Sequence, residues 1–194
     1  MKTLFIDLET TGLSGNKDTI IELAAILDQG GKEKAVFHKY CRPQERPGNF
    51  DKVTELTGIT WEFLEKHGLP ESVLFNSFLA FLDENVNKFD RADKMIFCAY
   101  NAKFDEWFIR QFFKRYDNKY FGAYFYTGVL DILGTVNFCI RRGLIGVPPS
   151  LKNADVAKFL KIKVDEKQLH SALYDMKLSK QIEETLENKI FERN

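Results

Sequence analysis

The apolar positions fall into two periods along the chain, and these predict its elements. Residues about 3–8 (Thr-Leu-Phe-Ile-Asp-Leu) read as a buried strand that runs into acidic residues at its C-terminal end. Gly12, Gly15 and Asn16 mark a loop. Residues about 19–28 fit helix or strand by periodicity alone. Gly30-Gly31 after them, and a second β-like run at about 34–41, favour a hairpin. The first part of the chain is therefore predicted to be a three-stranded antiparallel meander.

A polar loop with Pro43, Pro47 and Gly48 leads to a short helix near Val53–Leu56. Phe75, Phe78, Leu79, Leu82 and Val86 recur every three or four residues, which predicts an amphipathic helix over about 71–87. Lys94–Ala99 reads as a short strand. Phe104–Tyr116 reads as a helix with Phe104, Phe108 and Phe112 stacked at i, i+4, and about 127–131 as another strand. Asp131 is expected to cap the next helix, and Ser150, after Pro148-Pro149, the one after that. A long helix from His170 to the C-terminus carries Leu178, Ile182, Leu186 and Ile190. An antiparallel meander followed by alternating helix and strand indicates a mixed-sheet α/β protein. No linker divides it, so residues 1–194 are expected to form a single domain.

Composition narrows the function. With 44% apolar and 29% charged residues in 194, the chain is globular and large enough to bury its own core. The 18 Phe are core material on this reading. Twenty-eight basic residues balance 28 acidic ones, which excludes nucleic-acid binding by bulk positive charge and leaves room for a local track. One candidate runs from Arg141 to Lys163, where Arg141, Arg142, Lys152, Lys158, Lys161 and Lys163 face only Asp155. It either flanks a cleft or is a solvated helix face. No stretch approaches the ~18 apolar residues of a membrane span. The N-terminal apolar run, cut off by Asp7, is too short for a signal peptide. Cys41, Cys98 and Cys139 are widely spaced without a C-x-x-C, which argues for a reducing, cytoplasmic setting.

Three short blocks carry candidate chemistry. In Asp7-Leu8-Glu9, residues i and i+2 of a strand point to one face. Two carboxylates there repel each other unless a cation lies between them, and hard oxygen donors suit Mg²⁺ or Mn²⁺. Alone, the pair reads as a solvated strand end, since such pairs are common. The second block, Asn101-Ala-Lys-Phe-Asp105, follows a buried strand and puts a carboxylate in the first turn of a helix. Asn capping and the helix dipole would account for it without chemistry. In His170-Ser-Ala-Leu-Tyr-Asp175, the i, i+5 spacing places the two side chains about 140° apart on an ideal helix. They can serve one cleft only if His170 lies at or before the helix start. Neither His38 nor His67 has an acidic partner at a telling spacing.

Together, in this order, the blocks resemble the DEDDh (DnaQ-like) family of 3′–5′ exonucleases. That family includes the proofreading epsilon subunits of bacterial DNA polymerase III, ribonuclease T and oligoribonuclease. Its pattern is D-x-E, then N-x-x-x-D, then H-x-x-x-x-D. Ile20–Ala25, Leu56–Thr60, Leu130–Leu133 and Ser150-Leu151 match as well, so the resemblance covers about residues 3–186. The sister subclass has Y-x-x-x-D in its last block, which would require Tyr where the chain has Ser171. One departure is Tyr100, where many proofreading members have His before the Asn of the second block.

The resemblance implies a ribonuclease H-like fold: a mixed five-stranded sheet, antiparallel meander then parallel strands, flanked by helices. It implies two divalent cations, Mg²⁺ or Mn²⁺, held by Asp7, Glu9, Asp105 and Asp175, with His170 as general base. By the same analogy Thr10, Thr11, Gly12, Leu13 and Asn101 meet the terminal nucleotide, with Gly12 allowing close backbone approach. Phe104 is a stacking candidate or a core residue. The expected partners are 3′ ends of single-stranded DNA, with a DNA polymerase as a separate chain. The alternatives are a 3′–5′ exoribonuclease, or an accessory module that acts through protein contacts.

Overall fold

The computed structural model describes residues 1–191. Its strands are β1 (Lys2–Thr10), β2 (Ile20–Gln29), β3 (Glu33–Arg42), β4 (Leu69–Pro70), β5 (Met95–Ala99) and β6 (Phe125–Asp131). Its helices are α1 (Phe50–Thr57), α2 (Trp61–His67), α3 (Glu71–Asn85), α4 (Ala102–Arg115), α5 (Phe121–Tyr124), α6 (Ile132–Arg141), α7 (Asn153–Phe159) and α8 (Ala172–Phe191). All strands join one sheet in the order β4-β3-β2-β1-β5-β6. The antiparallel meander is β1–β2–β3, and β5 and β6 extend it parallel to β1.

The sheet has six strands, not the expected five. Leu69 and Pro70 pair in parallel with Cys41 and Arg42 at the outer edge. Gly68 makes this possible: a Cβ there would lie 2.6 Å from the Leu64 carbonyl oxygen and 2.8 Å from the Arg42 nitrogen. Two residues carry no periodic signal, so such a strand is invisible in the pattern. Helices α2, of seven residues, and α5, of four, are further additions, each too short for the window of about 11–18 residues in which a helical period is read. The long last helix begins at Ala172 rather than at His170, and the final three positions of that expectation lie outside the described residues.

Strand alternation gives two large cores, one on each face of the sheet, and a smaller third cluster of Ile21, Phe50, Val53, Ile59 and Leu64 seats α1 and α2. Leu4, Ile6 and Leu8 of β1 face a phenylalanine-rich core with α3 and α4, where Phe75, Phe78, Phe108 and Phe112 are buried. Phe5 faces the other way, into a core with α6, α7 and α8 that holds Val136, Val156, Met176 and Ile182. Asp7 and Glu9 share the face of Phe5, and so does Glu22 with Ala24 and Ile26 of β2.

Asp131 caps α6 as expected: its Oδ1 accepts the Leu133 N–H at 3.1 Å and also the Asn101 N–H at 3.0 Å. One carboxylate thus ties the end of β5 to the end of β6. Ser150 is not the cap of α7. That position is Lys152, and Ser150 stands two residues ahead of it. The Ser150 hydroxyl accepts the Lys152 N–H at 3.2 Å and donates to Asp155 Oδ2 at 2.5 Å. Replacing Asp131 by Ala removes an acceptor from both N–H groups and should cost about 1–2 kcal/mol. Asp131→Asn, which keeps a carbonyl oxygen, should lose less. Thermal melts of the two variants against the parent check this, with about 2–4 °C expected per kcal/mol at this chain length.

Candidate active site

The site is built where β1 ends. Asp7 and Glu9 project from consecutive same-face positions, and Asp175 reaches them from the first turn of α8. One oxygen from each of the three lies within 4.8 Å of the others. Asp105 comes from the opposite face, in the first turn of α4, and is only 3% exposed. It is not part of the three-oxygen group. Its charge nevertheless acts on Asp7 more than that of any other carboxylate.

Crowding and burial leave these acids reluctant to ionise. Asp7 is pushed well above the usual carboxylate range, first by burial, then by Asp105, Glu9 and Asp175. Glu9 is raised to about 8 by burial and by Glu22, Asp175 and Asp105. Asp105 is raised by burial, against the pull of its own backbone N–H and that of Leu8. Asp175 is raised by burial, while the His170 backbone N–H, donated to its Oδ2 at 3.0 Å, holds it back.

A further carboxylate stands behind them. Glu22, 1% exposed, sits opposite Glu9 in the β1–β2 register. Its Oε1 meets His38 Nε2 at 2.7 Å and accepts the Ser171 hydroxyl at 3.3 Å. His38 therefore has an acidic partner. It is supplied across the β2–β3 ladder, where Ala24 lies opposite His38, and no linear spacing would reveal it.

His170 precedes α8 in a left-handed conformation, φ 65°, and is exposed. That satisfies the condition on the i, i+5 block, since His170 and Asp175 are not both helical. Asn101 is also left-handed, φ 61°, and its side chain makes no cap bond. Phe104 is partly buried and packs on Phe108 at 4.8 Å between ring centres. In the loop after β1, Leu13 is 82% exposed. The Thr10 hydroxyl donates to the Gly12 carbonyl at 2.6 Å. Thr11 is buried, and its hydroxyl, N–H and C=O are all engaged by the loop and by Asn49. A Cβ on Gly12 would lie 2.5 Å from Asp18 Oδ2, so the glycine answers to Asp18 packing beneath it.

Two clefts open from this edge. One runs between Glu22, Tyr40, Ile59 and the 167–171 segment, with a volume of about 560 Å³. The other, about 610 Å³, lies between Tyr100, Leu133, Leu151 and Lys152. His170 lines both.

The chain matches the RNase T family, described as "Exonuclease", over residues 4–182. It belongs to that exonuclease family. Among curated relatives it is 37% identical over 110 residues to a PolC-type DNA polymerase III of Thermotoga maritima, which covers 57% of this chain and 7% of the relative. It is 30% identical over 170 residues to the PolC-type polymerase III of Oceanobacillus iheyensis, 87% of this chain and 10% of the relative. The chain thus spans a tenth or less of the length of these relatives. Among solved structures, the E. coli ExoI–ssDNA complex in its zinc-bound form superposes with a TM-score of 0.78 at 21% identity, over 99% of this chain and 41% of that one. An ExoI/SSB-Ct complex gives 0.77 at 20%, over 99% and 42%. The shared fold is ribonuclease H-like, a mixed sheet flanked by helices.

For an exonuclease of this family the acidic group fits a divalent cation. All its donors are hard oxygens. Asp175 Oδ1 is buried with no hydrogen-bond partner. Among the described residues, no Lys or Arg forms an ion pair with Asp7, Glu9, Asp105 or Asp175.

The raised acids set the pH dependence of stability. Glu9 holds its proton up to about pH 8 when folded, against an ordinary value of 4.5. Between those values the unfolded chain binds fewer protons, so stability is full below pH 4.5 and falls as pH rises toward 8. In EDTA, the melting temperature should drop from pH 5 to pH 8, and Mg²⁺ should restore more of it at pH 8, where protons compete less. Asp7→Asn removes one of the repelling charges. It should raise the EDTA melting temperature at pH 8, by about 2–4 °C per kcal/mol gained, and blunt the Mg²⁺ response. Thermal melts across pH decide it, and a melting temperature that climbs over this range in EDTA would contradict the reading.

Proposed function

We propose that this domain removes nucleotides one at a time from the 3′ end of single-stranded DNA and releases nucleoside 5′-monophosphates. The observation that carries the reading is the oxygen group of Asp7, Glu9 and Asp175, with Asp105 behind it and His170 on the turn beside it. Asp7, Glu9, Asp105 and Asp175 would hold two cations, Mg²⁺ or Mn²⁺. Bound there, such ions lower the pKa of water and neutralise a departing oxygen.

The chain's own side chains do the rest. His170 takes a proton from the attacking water as general base. The Asp175 carboxylate, by accepting the His170 N–H, fixes the turn that presents the imidazole. The exposed Leu13 and the partly buried Phe104 offer apolar surface to a terminal base, Thr10 and Gly12 shape the loop between them, and Asn101 stands at the head of α4. Thr11 contributes by holding that loop.

DNA is favoured over RNA because the relatives are DNA polymerases and the superposed ExoI was solved with single-stranded DNA. In the PolC-type relatives the matching segment is part of a polymerase chain. We therefore place this domain beside a DNA polymerase, in the cytoplasm, as a proofreading activity. Three buried free thiols suit that reducing compartment.

The test uses 5′-labelled single-stranded DNA and RNA 20-mers with Mg²⁺, Mn²⁺ or EDTA. A metal-dependent ladder that shortens from the 3′ end is expected, faster on DNA. Asp7→Ala should abolish it, and His170→Ala should slow it by about 10²–10⁴-fold. Faster cleavage of RNA would move the substrate to the exoribonuclease class. Internal cuts, or a rate untouched by both variants, would sink the proposal.

A further inference from the structure

The loop after β1 keeps an apolar side chain in water while its backbone is fixed. Leu13 is 82% exposed. Ser14, the next residue, donates its N–H to Asp18 Oδ2 at 2.8 Å, and its carbonyl accepts the N–H groups of Lys17 and Asp18. The same Asp18 carboxylate lies under Gly12. The backbone on both sides of Leu13 is therefore set by where Asp18 stands. Gly15 rests directly on α4: a Cβ there would be 3.3 Å from Gln111 Cγ and 3.4 Å from Phe108 Cα and the Trp107 ring.

Arg115, in the last turn of α4, closes this contact. Its Nη1 donates to the Gly15 carbonyl at 3.1 Å and to the Asp18 carbonyl at 3.3 Å, across 100 and 97 residues of sequence. Its Nη2 meets Glu71 Oε1, a buried oxygen in the first turn of α3, at 3.0 Å. A planar guanidinium faces three acceptors at once, which an ammonium on a flexible stem does less well. The helix dipole does not account for this arrangement. Lys114 in the same turn already brings a cation to the end of α4, whereas the Arg115 fork is turned away to the loop and to α3. Arg110, earlier on the same helix, pairs instead with Glu106 of α4 itself.

We infer that Arg115, oriented by Glu71, is a positioning residue for the 3′-terminal nucleotide. By holding the Gly15 and Asp18 carbonyls it sets where Gly12 and Leu13 receive that nucleotide, and it does so without touching the strand. The inference rests on the exonuclease reading above and on the part which that reading gives to Leu13. A loop released from this fork has to be ordered when substrate binds, and that cost weakens binding. The weakening applies to substrate and transition state alike, so it raises KM and leaves kcat near the parent's.

Kinetics on an oligothymidylate 8-mer with Mg²⁺ test it, with melting temperature as the check on folding. Arg115→Ala should raise KM about tenfold and hold kcat within about twofold. Arg115→Lys keeps a charge opposite Glu71, and with it the fold, but one ammonium cannot serve all three acceptors; KM should rise about threefold. Arg110→Ala should leave both constants at the parent values. In a Leu13→Ala background, Arg115→Ala should add less than about twofold, because the two changes act on one contact. Amide hydrogen exchange at Ser14, Lys17 and Asp18 should quicken in Arg115→Ala and not in Arg110→Ala. A folded Arg115→Ala or Arg115→Lys variant with the parent KM overturns the inference, as does a loss that persists undiminished without Leu13. Parent protein that does not shorten the oligomer fails as an exonuclease. The Kd of thymidine 5′-monophosphate with Ca²⁺ then decides the inference separately: a rise in Arg115→Ala supports it, and an unchanged value overturns it.

Discussion

Five carboxylates, Asp7, Glu9, Glu22, Asp105 and Asp175, are gathered at one end of β1, and among the described residues no Lys or Arg pairs with any of them. Their mutual repulsion is the constraint that the rest of the structure serves. Two of them share a strand face by simple alternation, and the others are delivered by the first turns of α4 and α8 and by β2. Nothing local favours such a gathering, because each acid raises the cost of ionising the next. What holds it is apolar: Phe5 and Ile26 beneath Asp7 and Glu22 on one face, and the phenylalanine-rich core that seats α4 on the other. The domain spends folding energy to hold these acids together, as strained functional sites do.

The parts of this arrangement that were legible in the sequence are those written in local periods. Strand β1 ends in Asp7-Leu8-Glu9, so period two alone puts both acids on one face. Asp131 before an apolar helical run reads as a cap, and it is one. The helical stripe through Phe75, Phe78 and Leu82 gives α3 nearly to the residue. The missed features depend on pairings between distant segments. Glu22 and His38 are 16 residues apart and meet only because β2 and β3 are in register. Tyr100 and Leu151 meet only after α6 and α7 have packed. Strand β4 exists because Gly68 lets the chain approach the Arg42 backbone, a steric fact with no periodic trace. Ser150 fits the composition of a cap but lies two residues early, an offset that cap preferences do not resolve.

Asp105 shows why the order of the three blocks carries more than any block alone. It reaches the site from the face opposite Asp7 and Glu9, and it lies outside the three-oxygen group. Yet it is the carboxylate whose charge weighs most on Asp7. The backbone N–H of Leu8, on the strand between the two acids of β1, turns toward it. Position on α4 and position on β1 are therefore set against each other through the sheet, and shifting either helix or strand would disturb both. A change in the phenylalanine-rich core beneath α4 would reach the site by this route without touching any acid.

The loop after β1 completes the same logic from the solvent side. Leu13 is held 82% exposed, yet the loop beneath it is tied down from four directions. Thr11 exchanges backbone and side-chain hydrogen bonds with Thr19, the Ser14 N–H is donated to Asp18, and Asn49 reaches in from before α1. Arg115, at the far end of α4, donates to the carbonyls of Gly15 and Asp18. These hydrogen bonds order the loop backbone while the Leu13 side chain stays in water. An apolar side chain kept in water by an ordered framework adds little to the stability of the free protein, which is the physical ground for offering it to a terminal base in the function proposed above. The brace and the acid cluster rest on the same helix: α4 carries Asp105 in its first turn and Arg115 in its last, so one helix supports both the loop after β1 and the carboxylate behind the three-oxygen group.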